Sequence, residues 1–131
     1  MRALLITFSL FLAAPAMAAE EPVTYGCDEM VVIGRLENLD YEHVELKDDL
    51  LGHGWMNARI HVRSVVKGAD RRRVLPLRYF GHTYLRHDRT FMLVLSPQEG
   101  AYGLTSATML RGWSRPKLEA ACRPAQPAAL P

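Results

Sequence analysis

Trp55 to Val66 reads WMNARIHVRSVV, and its alternation decides the fold class. Met56, Ala58, Ile60 and Val62 fall on one side of an extended chain and Asn57, Arg59, His61 and Arg63 on the other, because successive side chains of a strand point to opposite faces. That is the pattern of a half-buried strand with one face in a core. Downstream, Lys67-Gly68-Ala69-Asp70 supplies turn residues, and Arg72 to Phe80 resumes the alternation with Leu75, Leu77 and Tyr79, which predicts a hairpin. Pro76 cannot donate to a ladder and is expected at an edge or bulge. Upstream, Met30 to Leu39, MVVIGRLENL, reads as a strand with Gly34 as its bulge or bending point, and the acidic stretch from Tyr41 to Gly54 as a loop.

Beyond the hairpin, Gly81 to Asp88 is polar and reads as a loop or a single helical turn. Thr90 to Leu95, TFMLVL, is a nearly continuous apolar run of strand length, which implies burial on both faces. Ser96 to Gly100 is a turn, and Ala101 to Leu110 a weaker strand. Pro116 suits a first helical turn, so Leu118 to Cys122 is expected to form a short helix, followed from Arg123 to Pro131 by a disordered Ala and Pro tail. Five strands in about 100 residues, without internal repeats, make an all-β barrel or sandwich the expected class.

The chain opens with a basic Arg2, an apolar run from Ala3 to Ala14, and the small-x-small triplet Ala16-Met17-Ala18, the arrangement of a cleaved export signal. Cleavage before Ala19 is expected, with residues 1–18 as signal, 19–26 as an N-terminal lead and 27–122 as the single folded domain. Twelve apolar residues cover only about 18 Å of helix, short of a hydrocarbon core of about 30 Å, which argues against an uncleaved anchor, and no second apolar stretch reaches spanning length, so no membrane span is expected in the mature chain. Arg outnumbers Lys 13 to 3, which points to a bacterial exported protein with a periplasmic or secreted address.

In such an oxidising compartment the two cysteines, Cys27 and Cys122, are expected to pair. Neither has a CxxC partner or a nearby His at ligand spacing, as a redox or metal-binding thiol would need. Charge is unevenly divided. From Glu20 to Asp49 there are ten acids against Arg35 and Lys47; from Leu50 to Pro131 there are thirteen bases against four acids. Acidic and basic strands facing each other in one sheet would absorb this asymmetry. The functional alternative is a basic surface, since Arg59, His61, Arg63, Arg71, Arg72, Arg73 and Arg78 crowd into twenty residues.

Motifs for catalysis are sparse. Five histidines, His43, His53, His61, His82 and His87, show neither an H-x-x-x-H pair nor an HExxH arrangement, and no GxSxG elbow, phosphate loop or dinucleotide fingerprint occurs. No cofactor is expected. His82 and His87 share a loop with Asp88 and form the alternative reading, a small metal-binding protein or metal-dependent enzyme. Trp55, Trp113 and Tyr79 read as core or core-rim aromatics. Nucleic acid is not expected as a partner, because aromatics do not interleave with the bases of the sheet.

A cysteine before MVVIG, a long second strand ending in Val65-Val66-Lys67-Gly68, a hairpin strand, TFMLVL and a closing cysteine together resemble the netrin-like, or tissue-inhibitor-of-metalloproteinases-like, group of OB-fold domains. The likeness spans Cys27 to Cys122 and implies a five-stranded OB-like closed barrel whose ends are tied by a disulfide. In those inhibitors a mature N-terminal cysteine chelates the protease zinc; here Ala19 to Gly26 precede Cys27, which blocks that amine. The expected function is therefore a non-catalytic binding module that meets an envelope protein or anionic ligand through Arg59, His61, Arg63 and Arg78, on the outer face of its second and third strands.

Overall fold

The computed structural model describes residues 21–112 and 114–121. The expected signal, Trp113, Cys122 and the tail lie outside the described residues. Seven strands follow in chain order: β1 (Val23–Tyr25), β2 (Met30–His43), β3 (Gly54–Lys67), β4 (Val74–Gly81), β5 (Phe91–Pro97), β6 (Tyr102–Met109) and β7 (Leu118–Ala120). Five of them close a barrel in the order β2-β3-β4-β6-β5, and β1 and β7 form a separate parallel ribbon. All barrel pairings are antiparallel except β4 with β6.

The alternation in β3 sorts as expected. Met56, Ala58 and Ile60 are buried with Leu75, Leu77 and Tyr79 of β4, while Arg59, His61 and Arg63 are exposed and Val62 is partly buried against the core. Met30, Val32 and Leu36 of β2 and Phe91, Leu93 and Leu95 of β5 complete the barrel interior. The intervening residues Val31, Ile33, Met92 and Val94 point the other way and are buried too, in a second cluster with Val23, against which Tyr25, Leu110 and Leu118 pack. The ribbon thus lies on the outside of β2 and β5. It makes MVVI and FMLVL two-sided, so both read as continuous apolar runs.

The expected helix from Leu118 to Cys122 is not what forms: among the described residues the chain has no helix, and Leu118–Ala120 is a strand. Five residues do little by themselves to repay helix nucleation. The same residues gain a ladder with Val23–Tyr25, closed by Val23 N–H donating to Lys117 O and Ala121 N–H to Tyr25 O, and Leu118 reaches the second apolar cluster. The partner strand β1 lies inside the stretch expected as a lead.

β2 is also longer than its apolar stretch, running to His43 because β3 pairs with it as far as His43 opposite Gly54. Gly34 sits at a register shift, as expected of a bulge, and a Cβ there would stand 2.5 Å from the His61 carbonyl. Pro76 lies just before Leu77 and Arg78, the two β4 residues that pair with β6, so it stands where that edge of β4 is open. Lys67 donates from Nζ to the carbonyls of Gly26, Cys27 and Glu29 and lies over the Tyr25 ring. This cation fastens the chain between β1 and β2 and is not available to a ligand.

Candidate functional site

β3 carries the expected basic row outward, and the acidic β2 runs beside it. Glu37 is paired in register with Arg59, and its carboxylate accepts from His61 Nε2 at 2.8 Å and lies 3.6 Å from the Arg59 guanidinium. On β4, Arg78 donates to Glu42 at 3.0 Å and stacks its guanidinium on Trp55, 4.8 Å from the ring centre. Three of the four expected binding residues therefore answer acids of β2. Part of the charge asymmetry along the chain, that of Glu37 and Glu42, is folded into cross-strand pairs, as the first of the two charge readings expects.

Arg63 differs. Among the described residues it has no carboxylate partner, and neither do Arg35, Arg71 and Arg73. Arg35 faces His61 across the β2–β3 pair, and the backbone of Arg73 accepts from Val62 N–H at 2.8 Å, so these residues gather around His61 to Arg63. Arg72, in the same turn, is held by Asp70, whose carboxylate also accepts from Tyr102. The Arg72 guanidinium, with its own backbone N–H and the Tyr102 hydroxyl, keeps the Asp70 carboxyl far below the usual carboxylate range. Arg35 was not expected at the site. In the sequence it is one of two bases in an acidic segment, and the register shifts of β2 hide which β3 residue it faces.

No protein-family model, curated protein or solved structure matches the chain. The reading of the surface rests on its own geometry.

His82 and His87 take different neighbours. His82 meets His53 edge to face at 5.3 Å, and His53 in turn stacks on Phe80, whose edge contacts Trp55. His87 instead lines a depression of about 470 Å³ with Arg35, Glu37 and His61. Among the described residues no group of three or more His, Cys, Asp or Glu side chains is placed to hold a metal. Tyr79 is buried as expected, whereas Trp55 lies partly buried on the outward row of β3, against Phe80 and Arg78, and not at the rim of the core. Among the described residues no helix is long and apolar enough to cross a membrane.

The β2–β3 loop has its own order. Asp49 accepts from the backbone N–H groups of Leu51, Gly52 and His53 and from His53 Nδ1. The His53 backbone N–H, then its imidazole, lowers the Asp49 carboxyl from 3.8 to about 2. Tyr41 donates to Gly52 O and touches Tyr84 edge to face, and Leu85 is pinned by Tyr79 and Asn38. This end of the barrel is a braced aromatic rim.

Proposed function

We propose that the chain is an exported, non-catalytic binding module of the bacterial envelope, an OB-like barrel that presents the outward face of β3 and β4 to an anionic partner. The barrel order supports the fold reading: numbered among themselves, the barrel strands run 1-2-3-5-4 with a parallel contact between third and fifth, an arrangement compatible with the five-stranded Greek-key barrel. The Cys27–Cys122 bridge belongs to the same proposal. It is supported by the β1–β7 ladder, which sets Ala121 beside Tyr25 and so brings the flanking chain together. The export address rests on the N-terminal sequence pattern alone.

The observation that carries the binding reading is the state of the basic row. Arg63 stands without a carboxylate among the described residues, and the ion pairs of Arg59 and Arg78 are exposed, their side chains 53% and 43% accessible, with Arg78 also stacked on Trp55. Exposed pairs of this kind contribute about 0–1 kcal/mol, so an incoming anion can displace them at little cost. The test is the double reversal Arg59→Glu/Arg63→Glu on a phosphorylated cellulose matrix. The wild-type protein should be retained beyond what its net charge of +2 explains, and the variant should flow through with an unchanged melting temperature. Equal retention of the two proteins would remove the binding assignment.

A further inference from the structure

We infer that the anion-binding surface is a groove centred on Arg35, Arg63, Arg71 and Arg73, shaped for a linear phosphate chain. The inference rests on the anionic-partner reading above and moves its centre away from Arg59 and Arg78. Three depressions adjoin one another on this side of the barrel. The first and second share Arg35 and His61 as walls, and the second and third share Val62 and Arg63. They form one track from His87, across β2 and β3, to the turn at Arg71 and Arg73.

The charge of that track is one-sided. Five arginines and two histidines line it against Glu37 as its only acid. Arg72 is offset by Asp70, which leaves four arginines with no carboxylate among the described residues, more uncompensated charge than the +2 of the whole chain. Crossing from β2 over β3 to the following turn covers about two strand spacings, roughly 10 Å. A single anion can satisfy only part of such a row, whereas a chain of closely spaced oxyanions can engage all of it, and the planar guanidinium grips phosphate oxygens in pairs.

The absence of rings in the track decides between polyanions. None of its lining residues is Phe, Tyr or Trp. The exposed Tyr41, Phe80 and Tyr84 belong instead to the opposite end of the β2–β3 pair, beside the acids Glu42 and Asp49. A single-stranded nucleic acid draws much of its affinity from stacking bases on aromatic side chains, and this groove offers it only the phosphate half of that interaction. A phosphate chain, free or carried on an envelope polymer, asks for nothing more.

The experiment is calorimetric titration of the full mature chain at low salt with short-chain inorganic polyphosphate, orthophosphate, a phosphorylated mannan and single-stranded DNA of matched charge. Polyphosphate should bind at least about tenfold more tightly than orthophosphate, and raising the salt should weaken it. Arg35→Glu/Arg63→Glu and Arg71→Glu/Arg73→Glu should each weaken binding by about tenfold or more with unchanged circular dichroism. Glu37→Gln should strengthen it, an outcome misfolding does not produce. Mannan binding that equals polyphosphate supports a polymer-borne phosphate, and polyphosphate alone supports the free chain. DNA binding as tightly as polyphosphate, or orthophosphate matching it, overturns the inference. If Arg59→Glu/Arg78→Glu abolishes binding while the groove variants bind normally, the groove is wrong and the anionic partner stands; if no polyanion binds, both fall.

Discussion

At Asp49 a single carboxylate holds a whole turn: three consecutive backbone N–H groups and one imidazole converge on it, and its side chain is only 9% accessible. The ionised form is the one these donors stabilise, which is why its folded value falls from 3.8 to about 2. A lowered carboxyl contributes stability that is fully present above its ordinary value and is lost as the pH falls through the folded one. Between about pH 4 and pH 2 the loop should therefore come unclipped before the barrel does. Amide exchange at Leu51, Gly52 and His53 checks this: protection should fade in that window, and Asp49→Asn should remove most of it at neutral pH. Unchanged protection in the variant would mean the turn is held by its neighbours. None of this was legible in the sequence, where Asp49 is one of ten acids in thirty residues and its four donors depend on the backbone bending around it.

Elements half buried on one face were readable and elements defined by a partner were not. β3 and β4 declare themselves because each must keep one apolar row in the barrel, and the alternation survives in the sequence. β7 reads LEA, a triplet with no strand character of its own, and only the distant Val23–Tyr25 makes it a strand. The acidic half of β2 was hidden similarly, because its outward residues are polar without alternation and its pairing with β3 sets the length. The ribbon leaves a measurable trace on β2. Val31 faces the ribbon and Val32 the barrel interior, and both are fully buried. Each of Val31→Ala and Val32→Ala should then cost about 2 kcal/mol in chemical denaturation, from lost methyl burial and a residual cavity. A negligible cost at Val31 would show that the ribbon does not seal that face. The basic row was legible as charge, but which arginines stay unanswered was not, since that depends on Glu37 and Glu42 reaching Arg59, His61 and Arg78 across the strands.

At the scale of the molecule the first and last described strands are joined side by side, so the proposed Cys27–Cys122 bridge would staple a loop of nearly the whole domain. Chain-entropy models give about 4 to 5 kcal/mol for closing a loop of that order, comparable with the stability of a small domain. Denatured, unreduced protein should show near-zero thiol labelling, and reduction should lower the melting temperature markedly; two labels per chain would exclude the bridge. The barrel itself is fastened unevenly. β4 meets β6 through only two residue pairs, Leu77 with Tyr102 and Arg78 with Gly103, while every other edge has at least five. Cutting the circle at those two rungs unrolls it into the sheet β4-β3-β2-β5-β6, in which every remaining neighbour is antiparallel and no hairpin is broken. The unrolled sheet would carry two bare edges, one on β4 and one on β6, each able to pair with another chain. Those two rungs, with the packing of Tyr102 and Leu104 on the core behind them, separate a closed barrel from a template for strand-to-strand assembly.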